Sequence, residues 1–351
     1  MITFTRRAGL KSLAVAPLAG TLVSRSVAAQ SPVPELTAAG QVIVLSNSSP
    51  QVTMIDPVSN TVVASNAFPD FPGWTWNDDL NYSDDKLLWL GSRHPDTQES
   101  WVRSLDMDTL QLVDEIPTGP EPMTLYLSRG GQNGLFYVGK MGGFQVLAID
   151  PATATVAQTW DVPVGEEGVV CDIDVYTDAE GVERVYYPTW QGDSVVTVSP
   201  ETGEPETVNE DFPDGGGPWM GTAGPDGNFW VQWEANTNDV LDGADLSLVK
   251  RIPVGNQPTN VTFSPDGQYA YISYFGDSII TVVDVETLEK ITDITVGSVA
   301  SHVAVNPDGA TIYAIVTQEA TVAVIDTDSW EVAERINIGT NPGSIYFRAG
   351  G

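Results

Sequence analysis

Residues 252 to 267 read Ile252-Pro253-Val254-Gly255-Asn256-Gln257-Pro258-Thr259-Asn260-Val261-Thr262-Phe263-Ser264-Pro265-Asp266-Gly267, and 42 residues later the chain returns to Ile294-Thr295-Val296-Gly297, running on to Asn306-Pro307-Asp308-Gly309. Gly339 repeats the glycine after another 42 residues. Asp242, Asp284 and Asp326 keep the same step, each thirteen residues before its glycine, and Asp106 stands thirteen before Gly119. Asp56 and Asp150 hold that place in looser copies, and Ser199 replaces the aspartate in another. Gly192-Asp193-Ser194-Val195-Val196-Thr197-Val198 matches Gly276-Asp277-Ser278-Ile279-Ile280-Thr281-Val282 at a distance of 84 residues, two periods. A fixed period of this length marks a repeat architecture.

Inside one repeat the pattern has period two, as in Tyr269-Ala270-Tyr271-Ile272-Ser273 and Ile279-Ile280-Thr281-Val282-Val283, rich in β-branched and aromatic residues. Turn chemistry separates these runs. Ser264-Pro265-Asp266-Gly267 offers a fixed φ, a side-chain acceptor and a closing glycine, while Gly276-Asp277 and Asp284-Val285-Glu286-Thr287 make two further turns. Each repeat therefore predicts four short antiparallel strands, a to d. One such sheet cannot bury both faces alone, and radial stacking of several leaves only short, protected edges. Full copies occupy 69–119, 120–165, 166–212, 213–255, 256–298 and 299–339. Residues 40–68 supply three more strands, and 340–351, with Pro342-Gly343-Ser344-Ile345-Tyr346-Phe347, supply the innermost strand they lack. The expectation is an all-β, seven-bladed β-propeller over 40–351, its ring closed by the C-terminal strand joining the N-terminal blade.

Val-Gly-x-x-Pro before strand a, Ser-Pro-Asp-Gly after it, Tyr269-Ala270-Tyr271-Ile272 as strand b and Val282-Val283-Asp284 ahead of Thr287 together resemble the YVTN family of β-propeller repeat proteins. The family's signature at the end of strand b appears as Tyr271-Ile272-Ser273-Tyr274 and more distantly as Tyr313-Ala314-Ile315-Val316. The Trp-Asp dipeptide of WD repeats occurs once, at Trp160-Asp161, on another strand and without its histidine partner. The resemblance is specific over 256–339 and looser over 40–255. It implies a secreted or cell-surface propeller. Some similar propellers carry copper or haem enzymes, and those need particular histidines.

The chain has 351 residues, 47 acidic against 15 basic, and a formal net charge of -32. Such a field repels a phosphate backbone and argues against nucleic acid as a partner. An apolar content of 42% is ample for a large core. Cys171 stands alone, so no internal disulfide and no multi-cysteine zinc site can form. Four of the basic residues, Arg6, Arg7, Lys11 and Arg25, fall in the first thirty, where there is no acid. Basic residues, then an apolar run from Leu10 to Val23, then Ser26-Val27-Ala28-Ala29, make residues 1–29 read as a signal peptide, and the Arg6-Arg7 pair gives it a twin-arginine character. Residues 30–39 read as a linker. Nothing elsewhere is apolar enough to span a membrane, so the expected location is extracellular, the cell envelope or the periplasm. The exported part carries 47 acidic and 11 basic residues, a net of -36 with four lysines. That surface suggests a halophilic protein working in brine.

The d-to-a and b-to-c turns must emerge on one face, the a-to-b and c-to-d turns on the other. The aspartates of the second group read as turn formers. The first face, over the central channel, gathers the binding candidates: Trp74, Trp76, Arg93, His94, Trp190, Trp219, Trp233, Asn260, Tyr274 and His302. Aromatic side chains at a cavity mouth stack on sugars, peptides or cations, but they also fill the wedge between blades. Arg93 suits an anionic group or a salt bridge. His302 aligns with Asn260 and should face the channel mouth. Two histidines are too few for a copper cluster, and no carboxylate takes the aligned positions Thr124, Asn260 or Ser344, so neither a metal nor another cofactor is expected. The reading is a monomeric binding or scaffold module for a small ligand or protein. The alternative is a lactonase- or lyase-type enzyme with a channel metal or acid/base pair near His302.

Overall fold

The computed structural model describes residues 32–46, 50–68, 75–76, 86–162, 169–177, 181–190, 192–210, 217–233, 236–339 and 341–350. Residues 1–29, read from sequence as a signal peptide, the start of the expected linker and Trp74 lie outside them. The described strands form seven sheets of antiparallel neighbours, one per repeat. Blade 6 shows the plan: strand a is Pro258–Phe263, b Tyr269–Tyr274, c Ile279–Asp284 and d Glu289–Thr295. Innermost strands of the other blades are Thr75–Trp76 (blade 2), Leu125–Gly130 (blade 3), Val169–Val170 with Asp174–Thr177 (blade 4), Pro218–Ala223 (blade 5) and Ala300–Val305 (blade 7). Blade 1 takes its inner strand, Pro342–Arg348, from the C-terminus. That strand pairs with Gln41–Ser46 from Gln41 opposite Arg348 to Ser46 opposite Pro342 and closes the ring. Among the described residues a single 3-10 turn, Thr317–Glu319, breaks the all-β pattern, and no helix is long and apolar enough to cross a membrane.

The repeated aspartates build the c-to-d turns. Asp284 accepts from the Thr287 amide and hydroxyl, both at 2.7 Å, and Asp326 accepts from the Ser329 amide and hydroxyl, both at 2.8 Å. Asp56, Asp106, Asp150 and Asp242 cap their own turns in the same way. Four residues on from each, the chain enters the left-handed region, for example at Leu288 (φ 56°) and Trp330 (φ 56°), and the blade whose turn opens on Ser199 has Gly203 there (φ 71°). An extra residue bulges each c-to-d pairing at this point, as between Val282 and Val283, which twists strand d outward.

Strands b and c are buried on both faces, so strand c reads as a continuous β-branched run rather than an alternating one. Strand d is mostly exposed, as in Glu289–Thr295. Seven apolar clusters fill the seven gaps between neighbouring blades. Between blades 6 and 7, for instance, Tyr271, Ile280 and Val282 meet Val303, Ile312 and Ala314. Each fully buried aliphatic side chain there contributes roughly 1.5–3 kcal/mol, which makes the inter-blade layers the main source of cohesion. An eighth cluster lies outside this scheme.

Candidate functional site

That eighth cluster consists of Met141, Val169 and Cys171, with Met123, Tyr126, Trp190 and Trp219 packed partly buried against it. Its members come from the d-to-a and b-to-c ends of blades 3, 4 and 5, the face on which the sequence places the binding candidates. The Trp219 indole donates to the Pro258 carbonyl at 2.8 Å, which pins the ring across the start of blade 6. Phe275, in the b-to-c turn of blade 6 and 39% exposed, meets it edge to face at 5.6 Å. Two of the predicted tryptophans thus come together on a partly exposed apolar platform.

Behind the platform runs the channel. A cavity of about 440 Å³ is bordered by inner-strand residues of blades 1 and 3 to 7, including Asn260, His302 and Ser344 with Arg129, Asp172 and Asp174. Asn260 accepts from the Thr262 hydroxyl at 3.0 Å, and the buried His302 ring sits with Nδ1 at 3.2 Å from the Ser301 hydroxyl. Asn260 and His302 therefore share one lined space, as their alignment predicts.

The other candidates go elsewhere. Tyr274 is fully buried; its hydroxyl donates to Thr281 Oγ1 at 2.5 Å, Thr281 donates on to Asp293 at 2.8 Å, and burial pushes the phenol up to about 12. Trp233 is 1% exposed in the gap between blades 4 and 5, with the Arg251 guanidinium over its ring at 4.9 Å. Both aromatic rings are filled by the fold, and the wedge reading holds for them. His94 turns inward on its own loop: Nδ1 accepts the Asp96 and Thr97 amides, each at 3.2 Å, and its carbonyl accepts from the Gln98 amide. Neither His94 nor Arg93 borders the channel cavity, so the two histidines do not converge there. Trp76 lies on the short inner strand of blade 2, opposite Ser92, and Trp74 falls outside the described residues.

Sequence reasoning missed the charged residues of the channel. Asp172-x-Asp174 is no calcium loop, but both carboxylates are buried in the channel wall. Asp172 accepts the Ile173 amide at 2.7 Å and the Gly221 amide at 3.0 Å; Asp174 accepts the Val175 amide at 2.8 Å and the Ala223 amide at 3.2 Å. Gly221 and Ala223 lie on the inner strand of blade 5, so the carboxylates satisfy amides on an edge that pairs with no further strand. The available signal was charge: the other described inner strands carry only Arg129 and Arg348. Among the described residues no three His, Cys, Asp or Glu stand together as metal ligands.

No protein-family model matches the chain, and no curated protein matches it in sequence. Solved structures do resemble it. A functionally unknown protein of Desulfotomaculum acetoxidans superposes with a TM-score of 0.68 at 14% identity, covering 89% of this chain and 100% of that one. A candidate 6-phosphogluconolactonase of Bacteroides uniformis gives 0.65 at 14% identity, over 88% of this chain and 99% of the other. Hydrazine synthase of Kuenenia stuttgartiensis gives 0.64 at 15% identity, over 80% and 91%. At these identities the likeness shows the propeller fold and nothing of the activity.

Proposed function

We propose that the protein is an exported binding module that takes a small, neutral, aromatic- or sugar-bearing ligand on the Trp190 and Trp219 platform, with the ligand's polar end toward Asn260 and His302. The observation that carries this reading is the eighth cluster. Seven apolar clusters suffice for seven inter-blade gaps, so the platform's partly exposed indoles are not required by the ring. Partly exposed aromatic rings beside a polar cavity match the pattern of ligand sites, in which a mostly apolar wall is supplemented by a few oriented polar groups. The acidic surface disfavours anionic ligands. Export follows from the N-terminal segment, and the YVTN resemblance is in keeping with it.

Titration with phenyl β-glucoside, followed by tryptophan fluorescence, tests the platform together with the Trp219→Ser and Trp190→Ser variants. Saturable quenching that both variants lose, at a stability cost near 1 kcal/mol, is the expected result. A loss of about 3–5 kcal/mol, the range for a core tryptophan, would make the platform structural and sink the reading.

A second reading, a lactonase- or lyase-type enzyme, is favoured by one observation: His302 and Asp172 border the same cavity. Both oxygens of Asp172 already accept backbone amides, which weighs toward a wall-building role. Turnover of a neutral δ-lactone that His302→Gln abolishes would establish it over the binding module.

A further inference from the structure

Tyrosine hydroxyls latch several blades to the next. Tyr137 of blade 3 donates to the Pro200 carbonyl of blade 4 at 3.3 Å, Tyr186 of blade 4 donates to the Gly243 carbonyl of blade 5, and Tyr313 of blade 7 donates to the Pro57 carbonyl of blade 1 at 3.3 Å. Each acceptor directly follows the residue that opens a c-to-d turn: Ser199, Asp242 or Asp56. In blade 7 that place belongs to Thr327, and Tyr271 of blade 6 is the tyrosine that borders it. No such bond forms. Tyr271 is 1% exposed, yet its hydroxyl has no hydrogen-bond partner among the described residues.

Where the latch would close there is instead a cavity of about 460 Å³, bordered by Tyr269, Tyr271, Trp330 and the exposed aspartates Asp266, Asp308 and Asp328. Trp330 stands at the left-handed turn position that is Leu246 and Leu288 in blades 5 and 6. Its ring meets Tyr269 edge to face at 5.4 Å and Tyr271 at 6.1 Å. No lysine or arginine borders the cavity. The three carboxylates do not stand together as ligands for one metal ion, so their charge suits an organic cation that the aromatic rings can also hold. Aromatic faces attract such cations through the ring quadrupole, most strongly at tryptophan. The Tyr271 hydroxyl, unpaired among the described residues and on the cavity wall, offers a ligand there a hydrogen-bonding group.

We propose that the cleft between blades 6 and 7 binds a small organic cation bearing N–H groups, an alkylammonium or guanidinium, held against Trp330 and Tyr269 with an N–H on the Tyr271 hydroxyl. The cleft opens among a-to-b and c-to-d turns, on the face opposite the Trp190 and Trp219 platform, and stands whether or not that platform binds a ligand.

Calorimetric titration of the full chain with n-butylammonium chloride tests it, at 0.5 M sodium chloride so that diffuse attraction to the acidic surface is screened. Saturable binding at one site is expected. Trp330→Leu, which installs the residue found at the same turn in three other blades, should weaken it about tenfold. Tyr271→Phe should weaken n-butylammonium while leaving tetramethylammonium, which has no N–H, unchanged. Non-saturable heats, an unchanged affinity in Trp330→Leu, or an unchanged affinity for n-butylammonium in Tyr271→Phe would each overturn the proposal. Asp328→Asn, on an exposed turn side chain, keeps the test decisive if Trp330→Leu does not fold: weaker binding supports the site and equal binding refutes it.

Discussion

Arg129 of blade 3 grips Asp174 of blade 4 through two hydrogen bonds, Nε to Oδ1 at 3.1 Å and Nη2 to Oδ2 at 2.7 Å. The same guanidinium reaches the Ala223 carbonyl of blade 5 at 3.2 Å, and the same carboxylate accepts the Ala223 amide. One ion pair therefore ties three consecutive inner strands along the channel wall. Its two halves are unequal: the Arg129 side chain is 49% exposed and that of Asp174 only 4%.

This inequality fixes the order of two substitutions. Asp174→Ala strands the buried Val175 and Ala223 amides without an acceptor and should cost about 2–3 kcal/mol. Arg129→Ala leaves a carboxylate that still accepts both amides, and water can take the place of a half-exposed guanidinium, so the cost should be nearer 1 kcal/mol. Urea unfolding of both variants measures the difference. A larger loss for Arg129→Ala would mean that the cation, rather than the carboxylate, organises the wall.

Ring closure makes a second test. Ile345 of the C-terminal strand is 6% exposed, opposite Val44, and belongs to the cluster between blades 7 and 1. Ile345→Ala should cost about 2–4 kcal/mol. Removing residues 342–351 uncovers Val42 and Val44, both fully buried, and frees the inner edge of blade 1. The truncated chain should lose its single cooperative thermal transition. If it melted as sharply and as high as the intact chain, the C-terminal strand would not be the closure.

The ring was legible because its determinants are local. Asp284 and Asp326 shape turns within three residues of themselves, and a β-branched run such as Ile279 to Val283 is what a strand buried on both faces requires. The channel was legible only where alignment reaches, as at Asn260 and His302. Tyr274 and Trp233 show why the remainder was not: both stand near the ends of b strands, but whether a ring turns into a gap or toward solvent depends on Thr281, Asp293 or Arg251. Those partners lie on other strands of the same blade, and no spacing rule identifies them. Asp172 and Asp174 were visible as charge on an inner strand. Their acceptor role depends on a bare edge in the next blade.

Acid should act through the turn carboxylates. The Ser59 hydroxyl holds Asp56 below its ordinary value of 3.8; the Thr109 and Thr153 hydroxyls do the same for Asp106 and Asp150, and the Thr287 and Ser329 amides for Asp284 and Asp326. A carboxyl lowered by folding contributes stability that is present above its unfolded value and is lost as pH falls through the folded one. Glu121 opposes this: burial raises it from 4.5, so its contribution is present below 4.5 and lost as pH rises through the raised value. At molar salt, melting temperature should hold or rise slightly toward pH 4.5 and fall steeply below 3.8. Asp284→Asn should flatten the steep limb, and an unchanged slope in that variant would remove the turn from the explanation.

Salt tests whether the acidic surface is an adaptation to brine. Residues 30–351 hold 47 acidic and 11 basic side chains, so most carboxylates have no cation to pair with and repel one another. Two exposed lysine pairs, Lys250 with Glu289 and Lys290 with Asp293, both within 3 Å, would weaken in salt, but each contributes at most about 1 kcal/mol. The screening length shrinks from about 10 Å at 0.1 M to about 3 Å at 1 M, so relief of repulsion should outweigh these losses. Melting temperature is expected to climb steadily from 0.05 M to 2 M potassium chloride. Potassium chloride is preferred to sulfate, which strengthens apolar burial in any protein. A curve flat to 2 M would discard adaptation to brine and leave the acidity as a property of composition alone.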